Sequence, residues 1–137
     1  MRDAIPVIPR PLTEAEIDAM SVIVLSFVGD GVQTLYERTR AAETFSGKAG
    51  QLHKMVSGMV NAKRQAEAAK AFMGLLNERE TEIYKRARNV KPNTLPKHTT
   101  QDVYRAASGF EAVVGYLYLT GQNDRLAVVL DDAYGRE

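Results

Sequence analysis

Residues 22–32 read Val22-Ile23-Val24-Leu25-Ser26-Phe27-Val28-Gly29-Asp30-Gly31-Val32. The run has no proline and one charge, and it is apolar around the whole circumference of a helix. A helix of this kind is expected to be largely buried. An ionised carboxylate in such surroundings is costly unless it is paired, so Asp30 requires a reason. Gly29 and Gly31 flank it. A glycine costs roughly 1 kcal/mol in a helix interior relative to alanine, and what it offers in return is room for close backbone approach.

A second stretch repeats the pattern. Ala106-Ala107-Ser108-Gly109-Phe110-Glu111-Ala112-Val113-Val114-Gly115-Tyr116-Leu117 is apolar, carries one acid and places small residues beside it. One arrangement accounts for both stretches: the two helices pack together, and Asp30 and Glu111 share one hard cation. Mg²⁺ suits such a pair, because it takes a few carboxylate oxygens and keeps its remaining waters. The other arrangement is structural, with each acid paired to a basic side chain or capping a backbone amide. That use is commoner for a single helical carboxylate, and it stays open at this point.

Outward from these two stretches the chain reads as all-α. Thr13-Glu14-Ala15-Glu16 is a capping box that opens a helical pattern running through residues 21–43. Gly47 and Gly50 break it. Residues 52–60 form a short pattern, and Asn61 can cap an alanine-rich helix over 62–76. Asn77 with Glu80 resembles another cap, before a helix over 78–88. Residues 89–100 contain Pro92, Pro96, Asn93 and Thr94 and form the one long loop. Thr100 can cap the helix that carries Glu111 and ends at Gly121, and Asn123 can cap a last helix through Tyr134. These signals predict one helical domain over residues 13–137, with six or seven helices, after an extended or flexible arm over 1–12.

The chain has 137 residues, 45% hydrophobic and 26% charged, with a net charge of +1. That is ordinary globular composition. With no cysteine, disulfides, thiolate metal sites and a cysteine nucleophile are excluded, and a reducing cytoplasm fits. The arm has no continuous apolar core, so it does not read as a signal peptide, and no run is long enough for a membrane span. There is no His-Glu-x-x-His, no Walker loop and no Gly-x-Ser-x-Gly. Charge is unevenly spread: Lys85, Arg86, Arg88, Lys91, Lys97 and Arg105 lie between residues 84 and 105, with Asp102 the only acid there. His98 sits beside Lys97. Such a block suits an anionic partner, although a charge run is more commonly a solvated face.

Several of these segments resemble one family. Phe27-Val28-Gly29-Asp30-Gly31-Val32 looks like the signature helix of the ribonuclease III family, and Phe110-Glu111-Ala112-Val113-Val114-Gly115 looks like its second metal-binding helix. Leu52-His53-Lys54, Ala62-Lys63 with Gln65-Ala66, Lys85-Arg86-Ala87-Arg88-Asn89 through Pro96-Lys97, and Tyr104-Arg105 resemble its Mini-III branch. The likeness runs over almost the whole chain, from Ile17 to Leu130. It implies the ribonuclease III endonuclease-domain fold, with no double-stranded-RNA-binding domain. It further implies a homodimer joined through the signature helices, and Mg²⁺-dependent hydrolysis of double-stranded RNA to 5′-phosphate and 3′-hydroxyl ends. In the Mini-III branch the substrate is the precursor of large-subunit ribosomal RNA, so a ribosomal protein as helper is a natural partner.

Asp30 and Glu111 match the family's catalytic, metal-binding acids. Two further acids of the larger members stand here as Ser26 and Ser108, and Thr34 occupies a position that is often glutamate in the branch. Lys85, Arg86, Arg88, Lys91, Lys97, His98 and Arg105 are the residues expected to grip RNA phosphates. Two competing readings are an inactive RNA-binding scaffold of the same fold and a helical protein-interaction domain. Retention of both acids counts against the first, and the second predicts no Mg²⁺ dependence of any property.

Overall fold

The computed structural model describes residues 10–44, Glu67, Lys70, 73–90 and 100–134. Among them all regular structure is helical, and no helix is long and apolar enough to cross a membrane. Glu67 and Lys70 are helical, and Met73–Leu75 forms a 3₁₀ turn. The remainder of the helices expected over 52–60 and 62–76, and most of the basic loop, lie outside the described residues.

Thr13 closes the expected capping box. Its hydroxyl accepts from the Glu16 amide at 3.1 Å while the Glu16 carboxylate accepts from the Thr13 amide at 2.9 Å. Arg10 donates two more bonds to Glu16, at 3.1 and 3.0 Å. The Arg10 bonds, with the Thr13 amide, hold the Glu16 carboxyl down at about 2. This helix, α1 (Glu14–Ala19), stops at Met20, whose backbone is extended at φ −91° and ψ 142°. The single helical pattern expected from Thr13 onward is therefore two helices. The break lets Ile17 and Val22, one on each side of it, both enter the core. Ser21 starts α2 (Val22–Thr44) by accepting from the Ile23 amide at 3.3 Å.

Local signals fix the next two helices as expected. Asn77 and Glu80 form a reciprocal capping box for α3 (Glu78–Arg88), with bonds of 2.8 and 3.0 Å. The Thr100 hydroxyl accepts from the Val103 amide at 3.2 Å to open α4 (Gln101–Leu119). α4 ends in a Schellman turn: the Gln122 amide donates to the Leu117 carbonyl at 2.9 Å, and the Gly121 amide to that of Tyr118 at 3.1 Å. Gly121 sits at φ 73°, where a side chain would be strained. The turn is so tight that α5 (Asn123–Ala133) begins at once. Gln122 is its cap and makes no side-chain capping bond, while Asn123, expected as the cap, is the first helical residue.

α4 is the central element and packs against α2, α3 and α5. It buries Ala107, Gly109, Phe110 and every residue from Ala112 to Leu117. Around it close Ile17 of α1, Leu25 of α2, Ile83 of α3, and Leu126 and Leu130 of α5. Each such side chain contributes about 1.5–3 kcal/mol relative to leaving it in water. Two charged clasps tie the elements together. Glu80 is fully buried and takes two bonds from Arg125, at 2.7 and 2.9 Å. Arg79 joins Glu14 and Asp18 of α1 to α3, and the Tyr116 hydroxyl donates to Glu14 at 2.5 Å.

Candidate functional site

The two helices that carry Asp30 and Glu111 touch backbone to backbone. A Cβ on Gly29 would lie 1.7 Å from the Glu111 carbonyl oxygen, and one on Gly115 would lie 2.1 Å from the Leu25 carbonyl oxygen. No residue but glycine fits at either point. Asp30 follows Gly29 directly, so the crossing brings the two acid-bearing segments together, as the sequence expects. Gly31 serves no such contact, because nothing lies within 4 Å of a Cβ built there.

The expected burial of these acids is corrected. Asp30 is exposed and Glu111 is half-buried. The physical reason is visible along α2, which packs only one side into its own chain. Val22, Leu25 and Val32 enter the core, while Ile23, Val24, Phe27 and Leu35 stand in water. Ile23 is 60% and Phe27 79% exposed. With Asp30 and Gly31 these residues form a continuous stripe at helical spacing, so Asp30 lies in the middle of an uncovered apolar face.

Hydroxyls surround the crossing. Thr34 donates to the Asp30 carbonyl one turn back in its own helix at 2.9 Å. Ser26 donates across the helix pair to the Ser108 carbonyl, also at 2.9 Å. Among the described residues no group of three or more His, Asp or Glu is placed to hold a metal. A pair of carboxylates, one solvent-facing, is a donor set that fits Mg²⁺, which binds through one or two carboxylates and retains waters.

The second half of α2 is polar where it meets α5. Gln33 is fully buried and accepts from the Tyr134 hydroxyl, and the Tyr36 hydroxyl donates to Asp131. Burial, then the bond to Asp131, pushes the Tyr36 phenol well up. Glu37 is buried too, with Arg40 3.8 Å away. Sequence reasoning missed this cluster. Its signal is Gln33 and Glu37 at i and i+4 beside the core positions Val32 and Tyr36.

The basic residues are only partly placed. Lys85 is exposed, and Arg86 and Arg88 are half-buried in the last turn of α3, where cations also favour the helix dipole. The Arg88 guanidinium lies 5.9 Å from the centre of the Tyr84 ring. Arg105 of α4 is half-buried, and its Nε has no hydrogen-bond acceptor among the described residues. Lys91, Lys97 and His98 lie outside the described residues.

A family model for the ribonuclease III domain matches residues 23–122, a span that contains the helix crossing and both acids. The chain belongs to the ribonuclease III family. It is 43% identical over 120 residues to the mini-ribonuclease 3 of Thermoanaerobacter sp. (strain X514), covering 88% of this chain and 84% of that one. It is 35% identical over 117 residues to the mini-ribonuclease 3 of Staphylococcus aureus, covering 84% and 87%. A crystal structure of a protein from Fusobacterium nucleatum superposes with a TM-score of 0.77 at 31% identity, over 85% of this chain and 93% of that one. These relatives place the chain in the mini-ribonuclease 3 branch, and its activity is that of an endoribonuclease.

Proposed function

We propose that this endoribonuclease cuts double-stranded RNA with Mg²⁺ held by Asp30 and Glu111. The observation that carries the proposal is the glycine crossing, which sets the Asp30 and Glu111 segments against each other. When bound, Mg²⁺ lowers the pKa of a coordinated water and offsets charge on the scissile phosphate. Asp30, exposed on α2, is the acid that reaches substrate-facing solvent, and half-buried Glu111 holds its place from α4. Hydrolysis leaves a 5′ phosphate and a 3′ hydroxyl.

The active form in this reading is a homodimer whose two-fold runs along the α2 stripe. An uncovered face with Ile23, Val24, Phe27 and Leu35 supports it, because such a face is costly to leave in water. Arg86, Arg88, Lys85 and Arg105, continued by Lys91, Lys97 and His98, grip phosphates without reading sequence. Such a grip is weak on its own, so a structured substrate with a protein helper fits. The branch relationship favours the precursor of large-subunit ribosomal RNA, with a ribosomal protein as that helper, in the cytoplasm. The catalytic domain in this reading spans residues 13–137, with 1–12 as an arm.

The test is cleavage of a long labelled RNA duplex by the wild type with Mg²⁺, by the wild type with EDTA, and by Asp30→Asn and Glu111→Gln proteins of unchanged circular dichroism. Cleavage by the wild type with Mg²⁺ alone is expected. Full activity in either folded variant would remove that residue from the site. RNA binding without any cleavage would favour an inactive scaffold.

A further inference from the structure

Thr34 and Thr39 of α2 place their side chains as helical hydroxyls ordinarily do. Thr34 donates to the Asp30 carbonyl at 2.9 Å and Thr39 to the Leu35 carbonyl at 2.8 Å, each four residues back in the same helix. Ser26 departs from this habit. Its hydroxyl leaves its own helix and donates to the carbonyl of Ser108 in α4 at 2.9 Å. Ser26 stands one turn before Asp30, and Ser108 three residues before Glu111.

Beside it glycine meets backbone, at Gly29 with Glu111 and at Gly115 with Leu25. Such contact limits how closely the helices approach. It forbids a full step of one helix past the other, which would press a side chain against backbone where only glycine fits, but by itself it does not hold the fine angle and spacing between them. A hydrogen bond does, since it weakens steeply when its angle or length is lost. The Ser26 bond is a side-chain link between α2 and α4, and it lies beside the acids. A slip of one helix along the other would separate Asp30 from Glu111.

We propose that Ser26 is a positioning residue for the cation site: by holding α2 in register against α4, its hydroxyl fixes the spacing of Asp30 and Glu111. This role rests on the reading of those two acids as the metal-binding pair. Ser26 touches neither ion nor RNA, and it acts only through the bond to Ser108. It needs a donor, so a carboxylate at this position could not replace it against a carbonyl oxygen.

The test is Mn²⁺ binding to the folded protein without RNA, followed by paramagnetic resonance, for the wild type, Ser26→Ala, Ser26→Thr, Thr39→Ala and Asp30→Asn. Supporting residues of this kind change metal affinity by about 10- to 100-fold. Ser26→Ala is expected to lose at least about tenfold in Mn²⁺ affinity. Ser26→Thr, which keeps the donor, and Thr39→Ala, which loses only a bond within α2, should stay near the wild type. In metal-free protein, amide exchange over residues 108–112 should speed up in Ser26→Ala alone. Where RNA is added, kcat should fall and KM should hold.

Unchanged Mn²⁺ affinity in Ser26→Ala would overturn the role, and so would equal losses in the alanine and threonine variants. If Mn²⁺ affinity depends on Asp30 while Ser26→Ala is unaffected, only the positioning role falls. If Asp30→Asn binds Mn²⁺ as the wild type does, the reading of the acids fails and takes this role with it.

Discussion

In α4, Phe110 precedes Glu111 and is 1% exposed; in α2, Phe27 lies three residues before Asp30 and is 79% exposed. The two helices carry nearly the same sequence signature, an apolar run with one acid set among small residues. From Ala107 to Leu117 every residue of α4 except Ser108 and Glu111 is buried, whereas α2 buries one side. An apolar circumference therefore reports that a helix is destined to be covered, and leaves open which molecule covers it. Exposure of Ile23, Val24 and Phe27 forgoes about 1.5–3 kcal/mol apiece, which a second copy recovers in the homodimer proposed above.

The largest effect should come from exchanging the aromatic residues. Phe110→Ala is expected to destabilise the monomer by about 3–5 kcal/mol, since it opens a cavity in the centre of the core. Phe27→Ala should leave the stability of a dilute monomer within about 0.5 kcal/mol, as exposed substitutions generally do. Its cost should appear instead as dissociation in sedimentation. Urea unfolding of both variants, read at protein concentrations above and below the dimer midpoint, tests the contrast. Equal losses in both at every concentration would mean that α2 is buried within its own chain after all.

Next in size is the crossing itself. Gly29→Ala must push Glu111 away, because the added carbon would sit 1.7 Å from its carbonyl oxygen. Overpacking of this kind costs about 1–3 kcal/mol, occasionally more, and here it should also abolish cleavage by parting the two acids. A folded Gly29→Ala variant with normal activity would show that the site does not need this contact. The effect on cleavage should exceed that on stability, a distinction available from thermal melting and single-turnover rates on the same protein.

How much of this was legible follows from the range of each interaction. The caps at Thr13, Asn77 and Thr100 act within three residues, and all three stand where the sequence puts them. The break at Met20 was hidden because its cause is the joint burial of Ile17 and Val22, although Ser21 was a readable start signal. The packing together of the segments that carry Asp30 and Glu111 was legible in part, from Gly29 at the crossing, while Gly31 meets nothing and Gly109 lies against Tyr84. The exposure of the two acids was not, since it depends on which side of α2 the rest of the chain occupies. Deeply buried acids do exist, but they are Glu37 and Glu80, and the partner of Glu80, Arg125, lies 45 residues away.

Glu80 gives the comparison a pH axis. Burial pushes its carboxyl up, but the bonds from Arg125 and the Asn77 amide outweigh burial and hold it below its ordinary value of 4.5. The pair therefore stabilises the fold fully above that value, and its contribution is lost as pH falls through the depressed value. Melting temperature against pH should fall on the acid side in the wild type and fall less steeply in Glu80→Gln. The same limb in both proteins would mean that Arg125 contributes little to holding α3 against α5.

The smallest effect is the most discriminating for α2. A Cβ on Gly31 would meet nothing within 4 Å in the single chain. Gly31→Ala should then stabilise the monomer by about 0.5–1 kcal/mol, because alanine is the better helix former. If the α2 stripe packs against a second α2, Gly31 lies at the close approach of the two copies, between Phe27 and Leu35. The same methyl group would then weaken the dimer while strengthening the monomer. Opposite signs in the two states, read from melting at low and high protein concentration, would place Gly31 at the two-fold. A gain in both would move the contact to the Ile23 and Val24 end of the stripe and leave Asp30 outside it.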